Sequence, residues 1–397
     1  MGRGRVRCVG ALRLYQARSQ APGPTAQRLH DSPSCYDVFT VPSRTMSLRT
    51  LTLRSLTLRT LRPHIPHPNS HHSAPRAYTM ATFYSAFSSP LYSTSSYSLS
   101  RPTYPPTLYT HHLLPYHSGP RNLLLDIGCG PGTVTRPLSA SFTHVYGIDP
   151  SASMIETARS LTPTSQYPSI TYHESPAEHL PFVKDAEADM VVAAQAVHWF
   201  DQANWWREME RVVRKGGTVA VWGYKDCMLP TMPRATQVLK HYSHHILGPF
   251  WAQPQRGIVE GRLRAISPPE EGWEDVVRWE HEAGYEVPVD EEVEKATLVP
   301  VEEGGVRGRW VKTEQGLLRN TWTLGQVEEY IRTWSSVFGW KKEHPDRRSR
   351  KEGGDGDVVD EMMEEMRKVE GLGEGWREVE SVIAWGHGVV MARRREK

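Results

Sequence analysis

Long apolar runs are missing from this sequence. Crossing a bilayer takes roughly 18 consecutive apolar residues, and the stretch from Val191 to Val197 is short and broken by Gln195. No membrane span is expected. Cysteine is scarce as well: Cys8, Cys35, Cys129 and Cys227 are the four in the chain, without paired metal-ligand spacing and far below the density of a secreted disulfide scaffold. A reducing, cytoplasmic setting is the simpler expectation, with no metal site. Acids and lysine are nearly absent from residues 1–79, which hold twelve arginines, two aspartates and neither lysine nor glutamate, an excess of ten positive charges. Because the whole chain carries only +2, the remainder is net acidic. That balance argues against a nucleic-acid surface on the body of the protein.

With 397 residues, 38% of them apolar, the chain can bury a substantial core. The basic head is the first compositional boundary. Positions 47–62 read SLRTLTLRSLTLRTLR, with Arg49, Arg54 and Arg59 five apart, a period that matches neither a helix face nor strand alternation. Residues 1–79 are therefore read as a disordered extension. A mitochondrial presequence and a biological start at Met80 stay open as alternatives, although the three prolines and the histidines from Pro63 to His72 make a poor amphipathic helix.

The chemistry starts at LLLDIGCGPG, positions 123–132: a buried-strand pattern, an acid at its end, then glycines at alternate positions. Gly128, Gly130 and Gly132 keep Cβ atoms away from a ligand lying on the backbone, and a helix can open from Thr133. A dinucleotide fingerprint needs glycine at its sixth place, where this chain has Thr133. Asp126 is poised to accept hydrogen bonds from a cationic amino-acid moiety rather than to meet a pyrophosphate, which favours S-adenosylmethionine. Asp149 ends the next strand, THVYGIDP, 23 residues after Asp126, where a carboxylate can take both hydroxyls of a ribose. Ser151 then caps a helix whose Met154 either covers an adenine or packs in the core.

Further strands follow at SITYHES, DMVVAAQAVHWF and TVAVWGY, alternating with helices. This pattern predicts an α/β fold, a Rossmann-like, doubly wound, mostly parallel sheet with its ligand crevice at the carboxyl ends of the strands. The cofactor core is expected over about 120–225. A helical cover should follow over 226–397, ending in a strand at SVIAWGHGVVMARR. WWREMERVVRKGG reads as a helix closed by Gly216, and positions 341–368 as a solvated loop and charged helix.

Five stretches, SLSRPTYPPTLY, LLLDIGCGPG, SPAEHLPF, AQAVHWFD and YIRTWSSVFGW, resemble fungal class I methyltransferases of the trans-aconitate methyltransferase type, over about residues 80–395. The resemblance implies that Asp126, Gly128 and Gly130 face the methionine portion of the cofactor, Asp149 the ribose, Pro176 and Ala177 the adenine, and Gln195 the sulfonium side. It also implies Arg101 as a ligand of the cofactor carboxylate. Two features depart from the family pattern: Pro176, and a longer, more acidic stretch at 281–308.

Methyl transfer from a sulfonium is an in-line displacement that needs alignment and water exclusion more than acid–base machinery. His198 is the candidate base, with a wall residue as the alternative. Trp199, Trp251, Arg332 and Trp334 are the candidate contacts to an acidic or planar small-molecule acceptor, with packing and surface roles as alternatives. The expected function is O-methylation of a small carboxylic acid by a monomer or weak homodimer. Methylation of a phenol or another secondary metabolite, a non-catalytic S-adenosylmethionine binder and a nucleic-acid methyltransferase are the competing readings.

Overall fold

The computed structural model describes residues 100–283, 298–300, 309–312 and 318–396. The expectations for residues 1–79, for a start at Met80 and for most of the acidic stretch 281–308 lie outside them. The first half runs β1 (Leu123–Ile127), α1 (Thr135–Ser139), β2 (His144–Asp149), α2 (Ala152–Ser160), β3 (Ile170–Glu174), β4 (Ala188–Ala194), α3 (Gln202–Val212) and β5 (Val213–Met228). In the second half come α4 (Pro233–His241), α5 (Gln255–Glu260), β6 (Trp273–His281), β7 (Leu298–Pro300), β8 (Arg309–Lys312) and β9 (Arg319–Thr323). The chain then continues through α6 (Leu324–Arg332), α7 (Ser335–Glu343), α8 (Val358–Glu370) and β10 (Glu380–Arg394).

One sheet takes all ten strands in the order β3-β2-β1-β4-β5-β10-β6-β8-β7, with β9 on the far end of β10. Pairings among the first five strands are parallel, while β10 runs antiparallel to β5, β6 and β9. This is a Rossmann-like α/β fold, and the strand order reverses beside β1, where ligands of such sheets bind. Sequence pattern explains the local choices. All five residues of β1 are buried, as a parallel strand covered on both faces requires. At α2 the Ser151 hydroxyl accepts the Met154 N–H at 3.4 Å, and at α3 the Asp201 carboxylate accepts from Ala203 N at 3.1 Å and Asn204 N at 3.2 Å. Helix α3 then buries Trp205, Trp206, Met209 and Val212 on the sheet, each large side chain contributing roughly 1.5–3 kcal/mol.

Three expectations are corrected. Helix α3 stops at Val212, and Gly216, at φ +72°, sits within β5 rather than closing the helix. The cause is Asp189, whose carboxylate accepts from Asn122 N, Leu123 N and Arg214 Nε, drawing residues 213–215 into the sheet. Helix α8 is not a solvated charged helix: Val358, Val359, Met362, Met363 and Met366 are buried against Tyr330, Trp340 and Trp385. The final strand is found as expected, but the cover is not helical alone, since β6 to β10 extend the sheet.

Candidate active site

The strand-end loops form the first of two cavities. Gly128, Gly130 and Gly132 have φ of +69°, +51° and +78°, so the chain after β1 turns through the left-handed region three times. Backbone donors tie this loop to β2: Gly128 N and Cys129 N give to Ile148 O at 2.7 and 3.0 Å, and Gly130 N gives to Asp149 Oδ2 at 2.9 Å. A Cβ built on Gly130 would meet no protein atom within 4 Å, so this glycine fronts open space. The cleft holds about 1040 Å³ and is lined by Asp126, Gly128, Gly130, Asp149, Met154 and Ala177, among others.

Both acids are buried. Asp126 Oδ2 accepts the Thr135 hydroxyl at 2.6 Å, while Oδ1 is buried without a partner. Burial pushes the Asp126 carboxyl up to about 7 against the Thr135 hydrogen bond, with the nearby Asp149 charge adding to the rise. Asp149 accepts from Ser151 N at 2.9 Å as well as from Gly130 N. Burial lifts it to about 6 despite those donors. An unpartnered buried carboxylate oxygen beside an open glycine cradle suits a cationic amino-acid group, and each oxygen of Asp149 retains a lone pair for a hydroxyl. The residues therefore fit S-adenosylmethionine.

A second cavity of about 640 Å³ adjoins the first. The two share Arg101, Gln195, Trp199 and Tyr224, and the second adds His198, Trp251, Arg256, Tyr330 and Trp334. Arg101 donates to Thr333 O at 3.0 Å and to the Tyr224 hydroxyl at 3.4 Å, and lies over the Tyr330 ring. His198 is buried in the short turn after β4, and burial together with the Arg101 charge depresses it to about 3. Its imidazole is neutral at every ordinary pH. Asp226, His244 and Glu260 bring ligand atoms within 4.8 Å of one another. The space among them is taken by Arg256, which gives to Asp226 Oδ1 at 2.7 Å and Glu260 Oε1 at 2.9 Å.

The methyltransferase-domain family matches residues 125–221, the segment that builds most of the first cavity. This is a methyltransferase. Its methyl donor is S-adenosylmethionine. A Saccharomyces cerevisiae protein provisionally named an S-adenosylmethionine-dependent methyltransferase is 26% identical over 285 residues, 70% of this chain and 88% of its own. A Dictyostelium discoideum protein provisionally named a methyltransferase is 32% identical over 179 residues, 44% of this chain and 64% of its own, just short of two thirds of that relative. A solved structure from Anaeromyxobacter dehalogenans, provisionally named a type II methyltransferase, is 25% identical with a TM-score of 0.49, covering 74% of this chain and 97% of that one. No helix among the described residues of the methyltransferase is long and apolar enough to cross a membrane.

Most candidate residues of the methyltransferase converge on the two cavities, with four qualifications. Arg332 lies elsewhere: its guanidinium gives to Glu328 at 2.7 Å, Asp357 at 2.8 Å and Asp360 at 2.9 Å, all buried carboxylates. An arginine so consumed at the α6–α8 junction cannot also meet an acceptor. Pro176 is exposed and outside the cleft, whose wall there is formed by Ser175 and Ala177. Gly132 serves the turn rather than the cleft, since a Cβ there would lie 2.3 Å from the Tyr172 hydroxyl. Gln195 does line both cavities, but its amide is spent on β5, accepting from Tyr224 N at 2.6 Å and giving to Tyr224 O at 2.9 Å. It holds this position at φ +51°, opposite Gly223, where a Cβ would come 3.0 Å from its Oε1. Tyr224 and Tyr330 were missed in the sequence. Tyr224 was accessible to the rule that sites gather near strand ends, whereas Tyr330 opens the YIRTWSSVFGW stretch but carries no local sign of a site role.

Proposed function

We propose that this methyltransferase transfers a methyl group from S-adenosylmethionine to a carboxylate oxygen of a small acid, in the manner of the trans-aconitate methyltransferases its motifs resemble. The observation that carries the reading is the pair of cavities sharing Arg101, Gln195, Trp199 and Tyr224, an arrangement suited to a donor on one side and an acceptor on the other. When bound, S-adenosylmethionine supplies an electrophilic methyl group on a positively charged sulfur. Asp126 would take the amino group, Asp149 the ribose, and Met154 with Ala177 the base. Trp199, Trp251 and Trp334 would form the acceptor walls and exclude water.

The choice of acid follows from proton accounting. A phenol, with a pKa of about 10, must give up its proton to a base. His198, held at about 3 by burial and Arg101, is too weak to take it. A carboxylate is already ionised; its oxygen forms the O–C bond as the C–S bond breaks and the electron pair passes to sulfur, and no proton moves. Arg101 supplies positive charge beside the same cavity. The test is incubation with methyl-labelled S-adenosylmethionine and matched panels of small carboxylic acids and phenols. Methyl esters of acids are expected. Methylated phenols with untouched acids would contradict the reading.

A further inference from the structure

His198 sits in the one-turn helix Val197–Trp199, its ring tilted against Trp199 with 4.9 Å between centroids. It is only 6% exposed, yet it lines the second cavity. The ring's Nδ1 is buried and has no hydrogen-bond partner. Orphaned buried N–H groups are rarer than under-satisfied acceptors, because a donor buried without a partner gives up its bond to water and gains none in return. The proton of this neutral ring therefore belongs on Nε2, and Nδ1 keeps a lone pair.

We propose that His198 is the specificity-determining hydrogen-bond donor of the acceptor cavity, presenting Nε2–H to an oxygen of the bound carboxylate and taking no proton from it. The proposal rests on reading the second cavity as the acceptor site. Geometry carries it: the ring lines the cavity, one nitrogen is sealed off, and the other is left to meet the acceptor. Charge supports it. Arg101 lines the same cavity and its field opposes protonation of the imidazole, so cation and neutral donor can act on one anionic group. Lys225, Asp226 and Arg256 are the other charged residues lining this cavity, and Asp226 and Arg256 are committed to each other. A site that offers an N–H to a substrate oxygen discriminates against analogues lacking that oxygen, because the donor is then left unpaired.

Two measurements on the full chain test this. In histidine-15N-labelled protein, the His198 signals, assigned by their loss in His198→Phe, should show a neutral ring protonated at Nε2 from pH 5 to pH 8. A proton on Nδ1, or titration near 6.5, would overturn the proposal whether or not an acceptor is known. With trans-aconitate as the probe acceptor, His198→Gln, which keeps an N–H near the Nε2 position, should retain kcat/KM within about fivefold. His198→Phe should lose about 10- to 100-fold, mainly through KM, with S-adenosylmethionine affinity unchanged in both. Equal losses of 10² to 10⁴ in kcat for both variants would mark a general base instead. If wild type methylates no acid at all, the functional reading fails, and the tautomer still decides the role of His198.

Discussion

The two cavities are built in opposite ways. The donor cleft is made chiefly of loops at the ends of β1 to β4, so that most of its wall comes from the continuous stretch between Asp126 and Phe200. The second cavity, the proposed acceptor site, gathers Arg101, His198, Tyr224, Trp251, Arg256 and Tyr330 from segments that only the folded chain brings together. On the proposed assignment, donor binding is a local property of one supersecondary unit, whereas acceptor choice depends on how the second half packs against it. Substitutions should separate along that line.

The largest effect expected is on stability alone. Arg332→Ala leaves Glu328, Asp357 and Asp360 without their shared guanidinium, and removing one partner of a buried ionic cluster costs about 3–5 kcal/mol. Urea unfolding should register that loss while S-adenosylmethionine affinity stays unchanged; a raised acceptor KM at intact stability would return Arg332 to the acceptor site. Next comes Gly130→Val, expected to weaken the donor at least about 100-fold because the added atoms enter the cleft and not the core, with a smaller loss of stability from holding a β-branched residue at φ +51°. Gly132→Ala should invert the pattern by driving a Cβ against Tyr172. Loss of folding in Gly130→Val with little change in Gly132→Ala would break the distinction between cleft and turn.

A pH titration sharpens the donor side. Burial holds free Asp126 at about 7 and Asp149 at about 6, and a cationic ligand binds the ionised form of Asp126. Affinity should therefore be full above pH 7 and fall as pH drops through 7 to 5, by up to about tenfold per unit for each proton that must be displaced. Asp126→Asn should flatten the upper part of that curve, and a pH-independent wild type would remove Asp126 from the site. Smallest of all, Pro176→Ala should leave donor affinity within about twofold, since the ring lies outside the cleft. A larger loss would restore Pro176 as a wall of the adenine pocket.

The same contrast explains what could be read from the sequence. The glycine loop, Asp126, Asp149 and Met154 were legible because strand, loop, strand and helix follow one another and each signal is local. The parallel half of the sheet was legible for that reason too. What resisted was long-range. Gly216 resembles a helix stop until Asp189, from a neighbouring strand, is seen to hold Arg214 in β5. Arg332 resembles a substrate ligand until α8 brings Asp357 and Asp360 to it. Pro176 failed on a finer scale, for neighbouring residues on one loop face opposite ways and Ala177 took the wall. The cavity junction at Arg101, Gln195, Trp199 and Tyr224 could not be read from any single stretch.

The division of labour between the cavities is tested most directly by titrating S-adenosylmethionine calorimetrically into the wild-type, Asp149→Ala and Trp251→Ala proteins. Asp149→Ala should weaken binding by roughly 1.5–3 kcal/mol, about 10- to 150-fold, because two ribose hydroxyls lose a charged acceptor. Trp251→Ala, altered only in the second cavity, should bind within about twofold of wild type. Unchanged binding in Asp149→Ala, or an equal loss in both variants, would contradict the assignment of donor and acceptor to separate cavities.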